Sequence, residues 1–223
     1  MNKTIRIALP KGRMMEEALA LLGTLGSGIS AEATSSRRLI LPSVDGRFEF
    51  LPVKSQDVPA YVETGVADAG VVGSDVLAEL RPDVLQPLDL GFGACRLAVA
   101  APETTAYPYL PGGVTPRVAT KYFETARRFF NERGIQVELI RISGSVEVAP
   151  LLGLAHWIVD LVETGRTLRE NGLVVVDTIS RSSARLILNR ASHKLRLLEH
   201  QQLIADLEGA LGERSAGWPL SAG

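Results

Sequence analysis

The sequence predicts an α/β fold, in which helices cover a parallel or mixed sheet. Short runs rich in β-branched residues alternate with helical patterns from one end of the chain to the other. The pattern also changes near residue 90, which predicts that the chain crosses there into a second domain. With 223 residues, of which 46% are hydrophobic and 22% charged, the chain can bury one large core or two smaller ones.

The first predicted unit is a strand, a loop and a helix. Ile5 to Leu9 alternates with a β-branched bias and ends at the loop Pro10 to Arg13. Beyond this loop, apolar residues recur at helical spacing; they are Met14, Ala18, Leu21, Leu22 and Leu25. Arg38 to Leu41 and Phe48 to Val53 flank an Asp-Gly pair, so we expect these two strands to form a hairpin.

A second unit of the same kind follows. Val58 to Thr64 has the pattern of a helix, which Gly65 ends. Ala69 to Gly73 is a short apolar run typical of a buried strand. Ser74 or Asp75 can cap the helix that comes next.

The remaining predicted elements lie beyond the crossing. The strands are Leu97 to Ala100, Arg117 to Ala119, Val137 to Ile142, Trp157 to Val162, Leu173 to Thr178 and Ser183 to Asn189. The helices are Lys121 to Arg133, Val146 to Leu152 and Lys194 to Leu211. Leu197, Ile204, Leu207 and Leu211 are the candidates for the buried face of the last helix. Pro102 to Pro116 is rich in Pro, Gly and Thr, which predicts a surface loop.

Composition and charge exclude several classes of protein. The net charge of −1 gives no overall basic field, and no run of Lys and Arg is long enough for a local patch, so we expect no nucleic-acid partner. Cys95 is the single cysteine, and the three histidines form no metal-ligand pattern with it. Arg6 interrupts the apolar amino terminus, so we expect neither a secretory signal nor a membrane span. These observations predict a cytoplasmic protein.

The segment from Asp160 to Leu168 has the composition of a phosphate-binding loop. A strand leads into Glu163-Thr164-Gly165-Arg166-Thr167, and a helix begins at or just after Arg166. A helix amino terminus offers N–H groups and a positive dipole end, while Gly165 allows close backbone approach. Asp160 and Glu163 add carboxylates that suit ribose hydroxyls or a bound Mg²⁺. The alternative is that Thr164 only caps the helix, with Gly165 as a turn residue.

Cations at a predicted strand end form a second candidate site. Lys11 and Arg13 lie where the first strand passes to its helix, the sheet edge at which open α/β folds bind ligands. Strand alternation would send Arg37 and Arg38 to opposite faces, so only one of them would face a given cleft. The segment Gly73-Ser74-Asp75 repeats the strand-loop-helix geometry and could contact a second ligand group; the alternative is an ordinary helix cap.

Several segments together resemble the ATP phosphoribosyltransferases. They are Leu9 to Arg13, Asp57 to Glu63, Ala67 to Gly73, Arg117 to Tyr122, Gly144 to Pro150 and Asp160 to Leu173, in order and without large gaps. The resemblance implies the first step of histidine biosynthesis, in which N1 of ATP displaces pyrophosphate from phosphoribosyl pyrophosphate with Mg²⁺. It also implies a two-lobed fold like that of type II periplasmic binding proteins, with the substrates in the cleft between lobes.

The resemblance assigns roles to the candidate residues. Residues Glu163, Thr164, Gly165, Arg166 and Thr167 would hold the 5′-phosphate, and Glu147 and Asp160 would face the ribose or the metal. Lys11, Arg13, Arg37 and Lys54 would face the polyphosphates, with Arg13 and Arg37 as the catalytic candidates. We expect substrate phosphates to hold the Mg²⁺ with no direct protein ligand. Catalysis would then consist of alignment and of stabilising charge on departing pyrophosphate.

The resemblance also predicts the domain boundaries and the partners. Lobe I would contain residues 1–90 and 179–212, lobe II residues 91–178, and residues 213–223 would form a tail. The chain ends soon after its last helix, which resembles the short form of the family. Short forms work with a separate regulatory subunit that resembles histidyl-tRNA synthetase, so we expect a homodimer core within a hetero-oligomer.

One departure and two rival functions stay open. The family usually has Asp where this chain has His156, which would either weaken a contact with ribose or metal or be a tolerated change at a strand edge. A non-catalytic solute-binding protein of the same fold is the rival from another class. Within enzymes the rival is a nucleobase-salvage phosphoribosyltransferase, because it shares the loose pattern of a hydrophobic and acidic run followed by Thr-Gly.

Overall fold

The computed structural model describes residues 4–30 and 38–217, with side chains described as far as residue 212. Within these ranges the chain forms two compact units. Unit 1 contains the described parts of Met1–Leu77, Arg81–Gly93 and Ser183–Gly223, and unit 2 contains Ala78–Leu80 and Ala94–Ser182. The sequence placed the two crossings after residues 90 and 178, whereas the contacts place them after Gly93 and Ser182.

Unit 1 is built on a six-stranded sheet. Its strands are β1 (Ile5–Pro10), β2 (Leu41–Pro42), β3 (Phe48–Val53), β4 (Ala69–Gly73), β5 (Leu85–Asp89) and β11 (Ala184–Leu188). Its helices are α1 (Arg13–Thr24), α2 (Val58–Glu63), α3 (Ser74–Leu80, whose last three residues belong to unit 2), α7 (Arg190–Leu195) and α8 (Leu197–Gly217). The strand order is β2-β3-β1-β4-β11-β5.

The register of unit 1 places three strand ends side by side. β1 is parallel to both β3 and β4, and Pro10 at the end of β1 pairs with Val53 at the end of β3. The apolar faces of this sheet are covered on one side by α1 and α8, through Leu21, Leu22, Leu203 and Leu207. On the other side Val58 and Val62 of α2 pack on Ala8 and Val72. The carboxyl ends of β3, β1 and β4 therefore lie together at one edge.

Unit 2 is built on a five-stranded sheet. Its strands are β6 (Cys95–Pro102), β7 (Arg117–Thr120), β8 (Glu138–Arg141), β9 (Trp157–Val162) and β10 (Leu173–Ser182), in the order β10-β6-β9-β7-β8. Its helices are α4 (Phe123–Glu132), α5 (Val148–Leu151) and α6 (Arg166–Glu170), with a short 3₁₀ turn at Pro111–Gly113. β9 is parallel to β7, and β7 is parallel to β8.

Trp157 lies at the centre of one of the two cores of unit 2. Its ring is fully buried, stacks on Phe130 and makes an edge contact with Tyr107 at a centroid distance of 4.9 Å. Its indole N–H donates to the backbone oxygen of Ala106 at 3.0 Å, so the polar atom of the ring is satisfied. The predicted surface loop Pro102 to Pro116 thus packs its first part onto β9.

Most predicted elements of unit 1 are confirmed, but four details are wrong. β2 begins only at Leu41, so the alternation argued for Arg38 does not apply. The edge strand β5 was not predicted. The N-cap of α3 is Gly73, with no side-chain cap, rather than Ser74 or Asp75. The last helical segment divides into α7 and α8, and its buried positions include Leu203, while Leu197 is exposed.

The predicted tail also differs from the structure. Residues 213–217 continue α8, which ends at Gly217, and residues 218–223 lie outside the described residues. No helix in the described part of the chain is long and apolar enough to cross a membrane.

Candidate functional site

The carboxyl edge of the unit 1 sheet brings two predicted cations together. The Lys11 N–H donates to the backbone oxygen of Val53 at 2.8 Å, which extends the β1–β3 pairing by one residue. Lys11 and Lys54 therefore occupy equivalent positions just beyond two paired strands, with backbones roughly 5 Å apart. Both residues are exposed. Two ammonium groups at one sheet edge form a site that favours a polyanion.

Arg13 begins α1 directly after this strand end. Gly12 before it has φ of 96°, a backbone conformation that L side chains rarely adopt, and its carbonyl accepts the first bonds of the helix from Met15 and Glu16. The Arg13 side chain is 60% exposed, and its Nε lies 3.5 Å from Oε1 of Glu17. An exposed pair of this kind is weak and can exchange for a ligand phosphate. The second predicted catalytic arginine, Arg37, lies outside the described residues.

Gly73, Ser74 and Asp75 occupy the end of β4 on the other side of β1. The Ser74 N–H donates to the Ser183 oxygen at 2.9 Å, and the Ser74 hydroxyl accepts from the Ser183 N–H at 3.3 Å. Asp75 is only 6% exposed and lies in the first turn of α3, where the helix dipole favours a negative charge. Both side chains have roles within unit 1, and their contact with substrate stays a prediction.

The loop between β9 and α6 forms the corresponding edge of unit 2. α6 begins at Arg166, as the sequence predicted, and its N-cap is Gly165 at φ 70° with no side-chain cap. The alternative in which Thr164 caps the helix is therefore wrong, and its hydroxyl makes only a 3.4 Å contact with the Arg166 N–H. Glu163, Thr164, Arg166 and Thr167 are all exposed at this edge. The loop therefore presents hydroxyls and a helix start to solvent.

Two arginines near this loop contact neighbouring residues. Arg166 Nε donates to Glu170 at 2.7 Å along the helix, but the two side chains are 80% and 59% exposed, so this pair, like that of Arg13, is weak and can exchange for a ligand phosphate. Arg169 Nη1 donates to the Thr164 oxygen at 3.2 Å, which stabilises the turn from beneath. Arg169 was missed by the sequence analysis. Its position four residues after Gly165, on the same helix face, is the signal that could have found it.

Asp160 and Glu147 lie on the same side of the unit 2 sheet as this loop. Ile158 and Val162, which flank Asp160 at alternate positions of β9, pack with Val146, Ala149 and Leu168. Asp160 therefore shares the face covered by α5 and α6. Glu147 stands at the amino end of α5, next to the buried Val146. Within the described residues, no group of three His, Cys, Asp or Glu side chains is close enough to hold a metal ion.

Lys121 is a second residue that the sequence analysis did not place in the site. It follows β7 directly, and its Nζ lies 3.3 Å from Oδ1 of Asp160. The rule that singled out Lys11, a cation just beyond a parallel strand, applies equally to Lys121. The earlier prediction placed this residue inside a helix, whereas α4 begins two residues later, at Phe123.

His156 lies at the opposite end of β9 from the loop. Its ring Nδ1 accepts the backbone N–H of Arg117 at 2.9 Å, and the backbone N–H of His156 donates to the backbone oxygen of Arg117 at 2.8 Å. Seven residues of extended chain separate it from Glu163, a distance of roughly 20 Å. This position favours the reading of His156 as a tolerated change at a strand edge.

A groove of unit 1 lies away from these positions. It has a volume of about 500 Å³ and is lined by residues that include Thr4, Arg47, Arg196 and Gln202, at the edge where β1 and β3 begin. Arg47 is paired with Asp206 and Arg196 with Asp68, so both of its cations are already neutralised. We therefore assign candidate positions to the carboxyl edge of each unit's own sheet, where open α/β sheets bind ligands.

Solved structures share this architecture. The periplasmic aliphatic sulphonate binding protein SsuA from Escherichia coli superposes with a TM-score of 0.62 at 10% identity, over 96% of this chain and 74% of that one. A likeness at this identity shows the fold alone. The fold defines the class: an α/β protein of the periplasmic-binding-protein type.

Residues 54–209 match the family model for HisG, ATP phosphoribosyltransferase. The chain belongs to the ATP phosphoribosyltransferase family. It is 48% identical to the ATP phosphoribosyltransferase of Syntrophotalea carbinolica over 96% of this chain and 98% of the relative. It is also 48% identical to that of Sorangium cellulosum, over 94% and 97%. The ATP phosphoribosyl transferase (HisG:HisZ) complex from Thermotoga maritima matches with a TM-score of 0.81 at 30% identity, over 94% of this chain and 100% of that one.

Proposed function

We propose that this chain is the catalytic subunit of an ATP phosphoribosyltransferase, a pentosyltransferase that performs the first step of histidine biosynthesis. N1 of ATP attacks C1 of phosphoribosyl pyrophosphate; the C1–N1 bond forms, the C1–O bond breaks, and pyrophosphate leaves with the electron pair. The observation that carries the proposal is the exposed loop Glu163 to Thr167 in a chain that matches this family along almost its whole length.

The unit 2 edge would bind the phosphoribosyl group. Thr164, Thr167 and the backbone beside Gly165 offer donors for a 5′-phosphate, because the helix start has no side-chain cap. Asp160 and Glu147 share one face of the sheet with this loop and would accept hydrogen bonds from the ribose hydroxyls. Arg166 would contribute through the helix start, and its exposed guanidinium could exchange Glu170 for the 5′-phosphate.

The unit 1 edge would bind the polyphosphates. Lys11 and Lys54 supply two ammonium groups in register, and Arg13 adds a guanidinium at the start of α1. An adenine nitrogen needs little help from a general base. The rate enhancement would therefore come from alignment of N1 with C1 and from stabilisation of charge on pyrophosphate. Arg13 and Arg37 are the candidates for this stabilisation, and Gly73 to Asp75 would border the second substrate.

Mg²⁺ fits the donor set of this site. When chelated by the diphosphate, it would neutralise part of the leaving group's charge. Asp160 and Glu163 supply hard carboxylate oxygens of the kind that Mg²⁺ and its waters accept. Their place beside the loop would let them contact the hydrated ion while the substrate phosphates hold it.

We also propose that this subunit works in the cytoplasm as a homodimer within a hetero-oligomer, with a regulatory subunit resembling histidyl-tRNA synthetase. The solved relative from Thermotoga maritima is a HisG:HisZ complex and supports this assignment. A tagged chain expressed with its genomic neighbours should retain such a subunit during purification. Recovery of the chain without any associated subunit would contradict this part of the proposal.

The activity is tested by mixing the chain with ATP, phosphoribosyl pyrophosphate and Mg²⁺. We expect the phosphoribosyl adduct of ATP to appear as a change in adenine absorbance and pyrophosphate to appear in equal amount. A control without Mg²⁺ should lose most of the rate. Thermal shifts with ATP against free nucleobases separate this enzyme from a salvage transferase, because only the true acceptor stabilises the fold. Absence of turnover, even with the regulatory partner added, would contradict the proposal.

A further inference from the structure

Lys121 and Asp160 form a partly buried ion pair at the carboxyl edge of the unit 2 sheet. Nζ of Lys121 lies 3.3 Å from Oδ1 of Asp160, and the two side chains are 29% and 25% exposed. The stem of Lys121 also places its ammonium 5.1 Å from the centre of the Tyr122 ring. These two contacts restrict the position of the ammonium group, so it attracts Asp160 from a fixed direction.

The Asp160 carboxylate is fixed through one of its two oxygens. Oδ1 accepts the Leu161 N–H at 2.8 Å in addition to the contact with Lys121. Oδ2 accepts no hydrogen bond from residues 4–30 or 38–217. The carboxylate is therefore oriented by Oδ1, while Oδ2 keeps its capacity to accept two hydrogen bonds.

The neighbours of Asp160 across the sheet explain why Lys121 pairs with it. Ala98 of β6 pairs with Asp160, and its side chain is a single methyl group. Ala119 of β7, which precedes the Thr120 that pairs with Val159, contributes another small side chain to the same cluster. Because Thr120 pairs with Val159, Lys121 itself lies beside Asp160 on the β7 side, so the two charged side chains are direct neighbours across the strands.

We propose that Lys121 is a positioning residue for the phosphoribosyl donor: it orients Asp160 so that Oδ2 accepts from the ribose hydroxyls. This inference rests on the proposed function and adds a residue to which no role has been given. The ammonium also offsets the repulsion between the Asp160 carboxylate and a 5′-phosphate at Glu163 to Thr167. Lys121 thereby favours binding of ribose 5-phosphate over a sugar phosphate that lacks a ribose hydroxyl.

The first test replaces Lys121 by Met, which keeps the apolar stem and removes the charge. We expect KM for phosphoribosyl pyrophosphate to rise about tenfold, with a smaller change in kcat, because the orienting contact is lost from bound substrate. Lys121→Arg should recover most of the affinity. Arg127→Met removes a cation from an exposed pair with Glu124 on α4 and serves as the matched control, with unchanged kinetics.

The second test asks whether the ribose hydroxyls are the groups recognised. Binding of ribose 5-phosphate and of 2-deoxyribose 5-phosphate is measured by calorimetry on the full chain. The unaltered chain should prefer the ribose compound, and Lys121→Met should lose that preference without a matching loss of affinity for the deoxy compound. An equal loss for both sugars would mean that Lys121 contacts the phosphate directly, which overturns the inference.

A double-mutant cycle separates action through Asp160 from direct action. Lys121→Met combined with Asp160→Asn should bind ribose 5-phosphate no more weakly than Asp160→Asn alone, whereas additive losses would contradict the inference. If Lys121→Met fails to fold, Lys121→Gln takes its place in each arm. Inactivity of the unaltered chain would count against the proposed function, and an active chain that tolerates Lys121→Met would count against this inference alone.

Discussion

His156 stands where the family usually has aspartate, at a position distant from the candidate site. Its Nδ1 accepts the N–H of Arg117, the first residue of β7, which would otherwise lack an acceptor at the start of that strand. Acceptance by Nδ1 requires the neutral ring with its proton on Nε2. An aspartate carboxylate would satisfy the same N–H. The residue usual in the family and the residue in this chain can therefore perform one structural task.

Substitution of His156 tests this account. His156→Ala leaves the Arg117 N–H without its acceptor and should lower the free energy of unfolding by about 1 kcal/mol. His156→Asp should restore most of that stability, since it restores an acceptor. Chemical denaturation measures both. Because the site is roughly 20 Å away along β9, KM for phosphoribosyl pyrophosphate should stay unchanged in each variant. A selective rise in KM for His156→Ala would place the residue near the substrate after all.

The sequence predicted the strand ends at which the candidate residues lie, but not the contacts of their side chains. Strand ends followed by Lys11 and by Glu163 could be found because the carboxyl edges of parallel strands collect ligands. The engagement of Arg166 by Glu170 and of Asp160 by Lys121 depends on rotamers and on strand neighbours distant in sequence. The pattern of one strand carries no information on such pairs.

At the scale of elements, the packing of α2 on β4 depends on the lack of a side chain at Gly70. A Cβ at Gly70 would lie 2.8 Å from Cγ2 of Val62 and 2.9 Å from Cγ1 of Val58. It would also lie 3.3 Å from the oxygen of Ala8 on β1. Both valines are fully buried, so neither can move aside into solvent. The close approach of this helix lies where the start of β4 pairs with β1.

Gly70→Ala should therefore destabilise the chain by about 1–3 kcal/mol through overpacking. Gly23→Ala is the matched control, because Gly23 lies in α1 with nothing within 4 Å of a new Cβ, and it should be neutral or stabilising. Chemical denaturation of both variants measures the difference. Addition of Val62→Ala to Gly70→Ala should recover part of the loss. Equal stability of the two single variants would contradict the packing argument.

The elements that the sequence did not reveal have physical explanations. β5 contains Pro87 and lies at the sheet edge, where a missing N–H is tolerated but the strand pattern is broken. The long carboxyl-terminal helix has a weak apolar face, so its pattern does not show which leucines are buried. Leu203 is buried because it packs against α1 and the sheet, whereas Leu197 is exposed. β10 extends to Ser182 because it pairs with β6 over its whole length, which moves the crossing four residues beyond the predicted one.

At the scale of the whole molecule, each unit has its own cores, and the chain passes between the units after Gly93 and Ser182 as well as at the last three residues of α3. Alternation of strands and helices predicted the α/β class, but it could not predict that β11 returns to lie between β4 and β5 of unit 1. That pairing joins residues more than 100 positions apart. The likeness to a family predicted the return to this unit but not the strand order, because local patterns do not encode a return of this length.

The return of the chain also buries a histidine in unit 1. His200 of α8 is fully buried and stacks on His193 at a centroid distance of 5.5 Å. In the described part of the chain neither ring nitrogen of His200 has a hydrogen-bond partner. Burial lowers the pKa of His200 from its ordinary value of 6.5, and His193 and Arg196 lower it further, against the opposing charges of Asp68 and Glu199. His200 therefore binds a proton less readily in the folded chain than in the unfolded chain.

This difference predicts a stability that depends on pH. As the pH falls through 6.5, the unfolded chain gains a proton on His200 that the folded chain does not, so the free energy of unfolding decreases. The loss approaches about 1.4 kcal/mol per pH unit and stops below the folded pKa. The pKa values of Asp45 and Asp206 are lowered by hydrogen bonds that outweigh burial, so these carboxylates keep their contribution until the pH falls below 3.8. Between pH 7.5 and pH 5 the decrease should therefore belong to the histidine.

His200→Phe keeps an aromatic ring but removes both nitrogens. Its free energy of unfolding should therefore change little between pH 7.5 and pH 5. It should also be at least as stable as the unaltered chain at pH 7.5, because two buried polar atoms without partners are lost. Urea denaturation at half-unit steps of pH gives both curves, and the difference between them removes the other titrating groups that the two proteins share. A His200→Phe variant that keeps the full slope would show that another group takes up the proton.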